Sequence, residues 1–256
     1  MASSLIAILA ASILALVFLG LWLSARGKLA SLTAAASAVP APVSDDPDSR
    51  LEALREEFIG SQKEIIFTLS ELVEFRTRES ETHVERVAEF ARIFAEILGL
   101  DAKEALLLTE AAPMHDIGKI GLSDYIIHKP GALTTEELEM MRDHTQIGHD
   151  ILARHHGPLF QRAATIALEH HERWDGSGYP RGLKGAAISL SGRIVALCDV
   201  FDSLSNPRSY KAAWTLEKTV EFVKDSAGHH FDPKLVEAMS GNMDRFLKVL
   251  VRMRDR

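Results

Sequence analysis

Apolar positions along this chain fall into three regimes. Leu5 to Leu23 is almost wholly apolar, interrupted by Ser12 and Gly20, close to the ~20 residues that a helix needs to cross a bilayer. Arg26 and Lys28 follow at once, and no Lys or Arg precedes the run. The positive-inside rule then places everything after it in the cytoplasm. The pattern therefore predicts a single-pass signal anchor over residues 1–28 at the cytoplasmic membrane. A cleaved signal peptide is the rival reading, with cleavage near Ala34 to Ala38. It fits less well, because the start lacks a basic residue and the apolar core is long for a signal. Residues 29–49, rich in Ala, Pro, Ser and Asp, read as a flexible linker. From Arg50 onward the period becomes helical. Leu51, Leu54 and Phe58 fall at i, i+3 and i+7, and Ile65, Leu69 and Leu72 continue the stripe.

The same period recurs over Val84–Leu98, Lys103–Ala112, Thr135–Leu152, Phe160–His170, Leu190–Ser203, Thr215–Ser226 and Pro233–Leu250. Thr134 with Glu137 three residues on reads as a capping box for one of these starts. No alternating strand pattern and no internal repeat stands out. The expected fold is all-α: a helical bundle of about eight or more helices over residues 50–256, preceded by the transmembrane helix. The helix from Arg50 to Arg76 could pair with a second copy as a homodimer, although its stripe is short and irregular for a coiled coil.

Composition narrows the partners. The chain has 256 residues and a formal net charge of -7, so it is not a binder of nucleic-acid polymers, and any phosphate binding must be local. A single cysteine, Cys198, excludes an internal disulfide and fits a reducing compartment. The 11 histidines change the picture more, because most lie between His83 and His171.

Candidate chemistry starts at His115-Asp116 within Met-His-Asp-Ile-Gly-Lys at 114–119. An adjacent His and Asp can bind one metal, or the carboxylate can bridge two cations. Lys119 lies one turn on, where it can meet a phosphate, and Gly118 permits close approach of backbone or ligand. Glu79 and His83 are four apart, on one face of a helix. His170-His171 ends a helix and opens a Gly-rich loop running through Tyr179-Pro180. His144 follows an acidic amphipathic helix, and Asp199 sits beside the apolar run Ile194 to Cys198. Each taken singly reads equally as a helix end, a solvated pair, a turn or a cap. Together, these eight imidazoles and carboxylates suit Fe, Mn or Zn. They are too many for one ion, so two or three metals are expected. For His128, His149, His155, His156, His229 and His230 a surface or capping role is the default reading.

The order and spacing of these motifs resemble the HD-GYP family of the HD phosphohydrolase superfamily. The matching stretches are His115 to Lys119, Lys129-Pro130-Gly131, His144 with Gly148, the run His170 to Pro180, Asp199 to Asp202, Arg208 with Tyr210-Lys211, and Phe231-Asp232-Pro233. The resemblance covers about Ser61 to Met239. It implies a metal-dependent phosphodiesterase that hydrolyses cyclic di-GMP to pGpG or GMP in bacterial second-messenger signalling. It also implies two or three divalent ions, most often iron or manganese. By resemblance, His83, His115, Asp116, His144, His170, His171 and Asp199 are metal ligands, and Glu79 belongs to a third metal. Asp116 and Lys119 match catalytic positions. Lys119, Tyr179, Arg208 and Lys211 match substrate contacts. The chain departs from the family pattern at Glu81, usually Gly, at Ser123, usually Pro, and around Arg208, where Pro207 precedes the Arg. Two other readings remain open at this stage: an HD phosphohydrolase acting on another nucleotide, and a cyclic di-GMP binding module that has lost turnover.

Overall fold

The computed structural model describes residues 46–77, 82–207 and 213–253. The chain divides into two units, Met1–Glu57 and Phe58–Arg256. What is described of the first unit is the start of helix α1 (Pro47–Thr77). The Asp46 carboxylate accepts from the Ser49 amide at 3.2 Å, and Pro47 takes the first turn, where its missing N–H costs nothing. The helix thus begins three residues before the expected start at Arg50. The expected anchor over 1–28 and most of the linker lie outside the described residues. Among the described residues, no helix is long and apolar enough to cross a membrane.

The second unit is all-helical among the described residues. After α1 come α2 (His83–Ile97), α3 (Ala102–Ala111), a 3₁₀ segment (Ala112–Gly121), α4 (Asp124–Ile127), α5 (Thr135–Leu152) and α6 (Pro158–Glu169). A long loop leads to α7 (Leu190–Ser205), followed by α8 (Leu216–Asp225), α9 (Pro233–Gly241) and α10 (Met243–Arg252). Local chemistry sets most starts. Asp101 caps α3, Ser189 caps α7, and Thr134 with Glu137 forms the expected capping box of α5. The stretch read as one helix from Pro233 to Leu250 is two. Asn242 leaves the helical region at φ −128° and donates its side-chain amide to Ala238 O, which ends α9.

α2 and α7 form the middle of the core. Phe90, Phe94, Phe201 and Phe246 interlock there, with ring centroids 5.1–6.2 Å apart. The 3₁₀ segment crosses beside them and packs on α5 and α6. Three residues per turn give it three distinct faces. Met114, Ile117 and Ile120 fall on one, and Asp116 and Lys119 on another. The close approach to α5 depends on Gly118. A Cβ placed there would lie 1.9 Å from His144 O and 2.4 Å from Gly148 N.

Candidate metal centre

The ends of several helices converge on one buried cluster. His83 opens α2, His115 and Asp116 sit on the 3₁₀ segment, and His144 comes from the middle of α5. His170 and His171 end α6, and Asp199 lies within α7. The donors fall into two sets, each with ligand atoms within 4.8 Å of one another: Asp116, His144, His170 and His171, then His83, His115 and Asp199.

Asp116 joins the sets. Its Oδ1 lies 3.2 Å from His144 Nε2 and 3.6 Å from His170 Nε2. Its Oδ2 lies 3.4 Å from His115 Nε2 and 2.7 Å from Lys119 Nζ. The two oxygens therefore face different imidazole groups, as a bridging carboxylate must. The rings of His115 and His83 are 5.5 Å apart, and those of His115 and His170 are 5.2 Å apart, so the two sets are continuous.

The imidazoles are oriented from behind. Nδ1–H of His115 donates to Ala112 O at 3.0 Å, that of His144 to Met141 O at 2.7 Å, and that of His170 to Ala167 O at 3.0 Å. His83 Nδ1 meets Asp202 Oδ2 at 2.8 Å. In each case Nε2 is left as the lone-pair donor pointing inward, the arrangement found behind metal-ligating histidines. Asp202 is itself held by the fully buried Arg86, whose Nε donates to Oδ1 at 2.6 Å. Sequence reasoning missed Arg86, and it placed Asp202 in a matching stretch without a role. The available signal was spacing, since Arg86 lies one turn from His83 and Asp202 one turn from Asp199.

The electrostatics favour cations here. Burial opposes a charge on His83, yet Asp202, Glu74 and Asp199 outweigh it and raise its pKa to about 9. Burial would also raise Asp116, but Lys119, His115 and His144 hold it well below the usual carboxylate range. His171 goes the other way, pushed well below the usual imidazole value by burial and then by His170 and His144. It is a neutral nitrogen donor. His83 Nε2, His115 Nε2 and Asp116 Oδ1 are buried and make no hydrogen bond. Three orphaned inward donors, each costly to bury unpaired, together with a mixed N/O set, fit divalent cations.

The loop after His171 is fixed over this cluster. Glu172, buried, accepts from the amides of Arg181 at 2.8 Å and Leu183 at 2.9 Å. Trp174 N donates to His230 O, and Asp175 N to His229 O, tying the loop to the segment before α9. The Tyr179 ring thereby stacks on His171, 4.8 Å between centroids at 26°. The Arg142 guanidinium lies 4.9 Å from that ring. Behind the 3₁₀ segment, Arg76 Nη1 donates to Lys119 O and Ile120 O, and Nη2 to Leu122 O. All seven expected core ligands, with Lys119 and Tyr179, are brought together. Glu79, Arg208 and Lys211 lie outside the described residues.

An all-helical bundle whose helix ends gather an adjacent His-Asp pair with further His and Asp donors is the architecture of an HD domain. The chain belongs to the HD domain family and to its HD-GYP branch, the family model described as HD domain matching residues 67–235. It is 44% identical over 195 residues to a 3′,3′-cGAMP-specific phosphodiesterase 2 of Vibrio cholerae serotype O1, covering 76% of this chain and 37% of that protein. It is also 44% identical over 192 residues to a cyclic di-GMP phosphodiesterase of Thermotoga maritima, covering 73% and 52%. The chain thus spans about half the length of these curated relatives, or less. A solved cyclic GMP-AMP specific phosphodiesterase of Vibrio cholerae shares the fold, with TM-score 0.51 and 24% identity over 70% of this chain and 50% of that one.

Proposed function

We propose that this chain is a metal-dependent phosphodiesterase that hydrolyses cyclic di-GMP to pGpG or GMP. The observation that carries the reading is Asp116, whose two oxygens face the two donor sets. His83, His115 and Asp199 would hold one ion, His144, His170 and His171 another, and Asp116 would serve both. The N/O donors suit iron or manganese, and Glu79 would belong to a third ion. Bound ions would supply Lewis acidity toward a phosphoryl oxygen and a lowered pKa for water.

The chain's own residues do the rest. The backbone carbonyls behind His115, His144 and His170, with Asp202 behind His83, fix each donor before substrate arrives. Lys119 keeps Asp116 ionised and presents an ammonium beside the cluster. There it can stabilise a nonbridging oxygen or the leaving 3′-oxygen as negative charge grows. The Glu172 clamp holds the loop so that Tyr179 can meet a base or sugar, and Arg208 and Lys211 would take the second phosphate. Water adds across one 3′-phosphodiester bond, and the leaving oxygen takes a proton to become a hydroxyl. The segment Leu5 to Leu23 would anchor the chain, with the catalytic domain in the cytoplasm.

A second reading has its own observation. A relative named for 3′,3′-cGAMP is as similar, at 44%, as one named for cyclic di-GMP. The test is turnover of both nucleotides by purified chain handled without chelator, with metals counted in the same sample. Cleavage of cyclic di-GMP, lost in Asp116→Asn, is the expected result. Preference for 3′,3′-cGAMP would move the substrate. Metal-loaded protein that binds either nucleotide without cleavage would identify a degenerate binding module.

A further inference from the structure

We propose that the exposed apolar face of α1 pairs in parallel with α1 of a second copy of this chain, and that the pairing closes the cleft behind the segment His115–Lys119. This stands apart from the substrate reading and does not depend on it.

The face is unusual for this surface. Of the fifteen exposed large apolar side chains among the described residues, seven lie on α1. Phe58, Ile65, Leu69 and Leu72 are each between 49% and 63% exposed. The helix already spends another face on the core, through Ile66 and Val73, which are buried. Apolar residues on two adjacent faces are more than a helix bounding one core requires.

The spacing identifies the occupant. Phe58, Ile65 and Leu72 repeat every seven residues, the a positions of a heptad, and Phe75, 83% exposed, is a d position. Leu51 and Leu54 carry the same a and d spacing further back in the sequence. Ser61 and Thr68 take the intervening d positions, which is why the stripe reads as irregular by sequence alone. Charge then chooses the orientation. The g positions are Glu57, Glu64 and Glu71. In an antiparallel pair g faces g, so acid would meet acid. In a parallel pair g faces e of the partner, so Glu57 meets Gln62 and Glu64 meets Leu69, and no acid faces acid; Arg76, opposite Glu71, is already held by Asp124 and by the carbonyls of Lys119, Ile120 and Leu122, and Arg50 opposite Arg55 is the like-charged exception. A membrane anchor ahead of α1 would likewise direct both copies the same way.

The pairing reaches the catalytic segment. An apolar cleft of about 500 Å³ opens beside α1, lined by Ile65, Leu69, Met114, Ile117 and Phe160 among others. Ile65 and Leu69 belong to both the cleft and the stripe. Met114 and Ile117 flank His115 and Asp116, so one face of the 3₁₀ segment forms the cleft wall while the residues between them would supply ligands. A second α1 laid along the stripe covers the open side of that cleft.

The test is cysteine cross-linking of the full chain in its membrane under mild oxidation. Cys198 is buried, so the unsubstituted chain serves as control. Phe58→Cys and Leu72→Cys should each give disulfide-linked dimers at ten-fold or more the yield of Lys63→Cys, which sits on the outward f position. Adding Ile65→Asp and Leu69→Asp should abolish that excess. Equal yields at all three positions, or none, would overturn the pairing. Cross-links formed only between Phe58→Cys and Leu72→Cys chains mixed together would overturn the parallel arrangement. Loss of the excess on adding an apolar small molecule that fills the cleft would support the shared surface.

Discussion

Replacing Gly118 with alanine sets two effects of known sign against each other. Alanine in place of glycine inside a helical segment stabilises by roughly 0.5–1 kcal/mol through backbone entropy. Here the added carbon would lie 1.9 Å from His144 O, 2.4 Å from Gly148 N and 2.9 Å from Gly148 Cα. All three are backbone atoms, so no side chain can swing away. To restore an approach of about 3 Å, the 3₁₀ segment and α5 must part by about 1 Å, which breaks close-packed contacts along both. Overpacking of this kind costs about 1–3 kcal/mol, so sterics outweigh propensity. For a domain of this size, each kcal/mol lowers Tm by about 2–4 °C. The same parting carries His144 away from Asp116 Oδ1, now 3.2 Å from its Nε2. Gly118→Ala should therefore melt several degrees lower and also lose divalent metal. Thermal denaturation and elemental analysis on the same preparation measure both. A variant that melts at or above the parent temperature with full metal content would refute the backbone contact and the assembly of the site that follows from it.

Three further outcomes follow from the same geometry. Asp202→Asn weakens the grip on His83 Nδ1 and on buried Arg86, so metal affinity should fall about 10- to 100-fold, with unchanged affinity in a metal titration counting against the role given to Asp202. Glu172→Gln can accept from one of the amides of Arg181 and Leu183 but presents an NH₂ to the other, a cost of about 1–3 kcal/mol; kcat/KM should fall with Tm, and rapid amide exchange at Leu183 should appear in the variant alone. Glu89 is held at about pH 2, below its ordinary 4.5, by Arg92 and then by Arg252 against the opposing effect of burial. A depressed carboxylate stabilises above its unfolded pKa and loses that contribution as pH falls through the folded value, so Glu89→Gln should be less stable by on the order of 1 kcal/mol near pH 7, the gap closing between pH 4.5 and 2; a gap constant across that range would contradict it.

How much of this was legible in the sequence differs by element. The cluster of seven donors was legible because imidazoles and carboxylates at fixed spacings, repeated along the chain, are improbable without a shared purpose. The bundle was legible from its 3.6-residue period. The 3₁₀ segment was not, since Ala112 to Gly121 carries no capping signature that separates it from a helix end. Arg86 and the role of Asp202 stayed hidden because a charged pair one turn from a ligand reads equally as a solvated surface pair, and burial alone tells the two apart. Asn242 broke an apolar pattern that otherwise continued from Pro233 to Leu250. The stripe on α1 looked irregular because Ser61 and Thr68 interrupt it. Burial tells the two faces apart, since Ile66 and Val73 occupy the core face and the stripe lies beside it.

The guanidinium of Arg76 gives α1 a mechanical role. It grips the carbonyls of Lys119, Ile120 and Leu122, so the rotational phase of α1 is geared to the peptide that carries the Lys119 ammonium. A helix wound into a two-stranded supercoil turns by ~20° per heptad relative to a free one. At the ~5–6 Å radius of its side-chain tips, that turn is an arc of about 2 Å, several times the slack in a hydrogen bond. If two copies of α1 pair as proposed, winding the shaft by one heptad would be enough to move the Lys119 peptide or to disengage the gear.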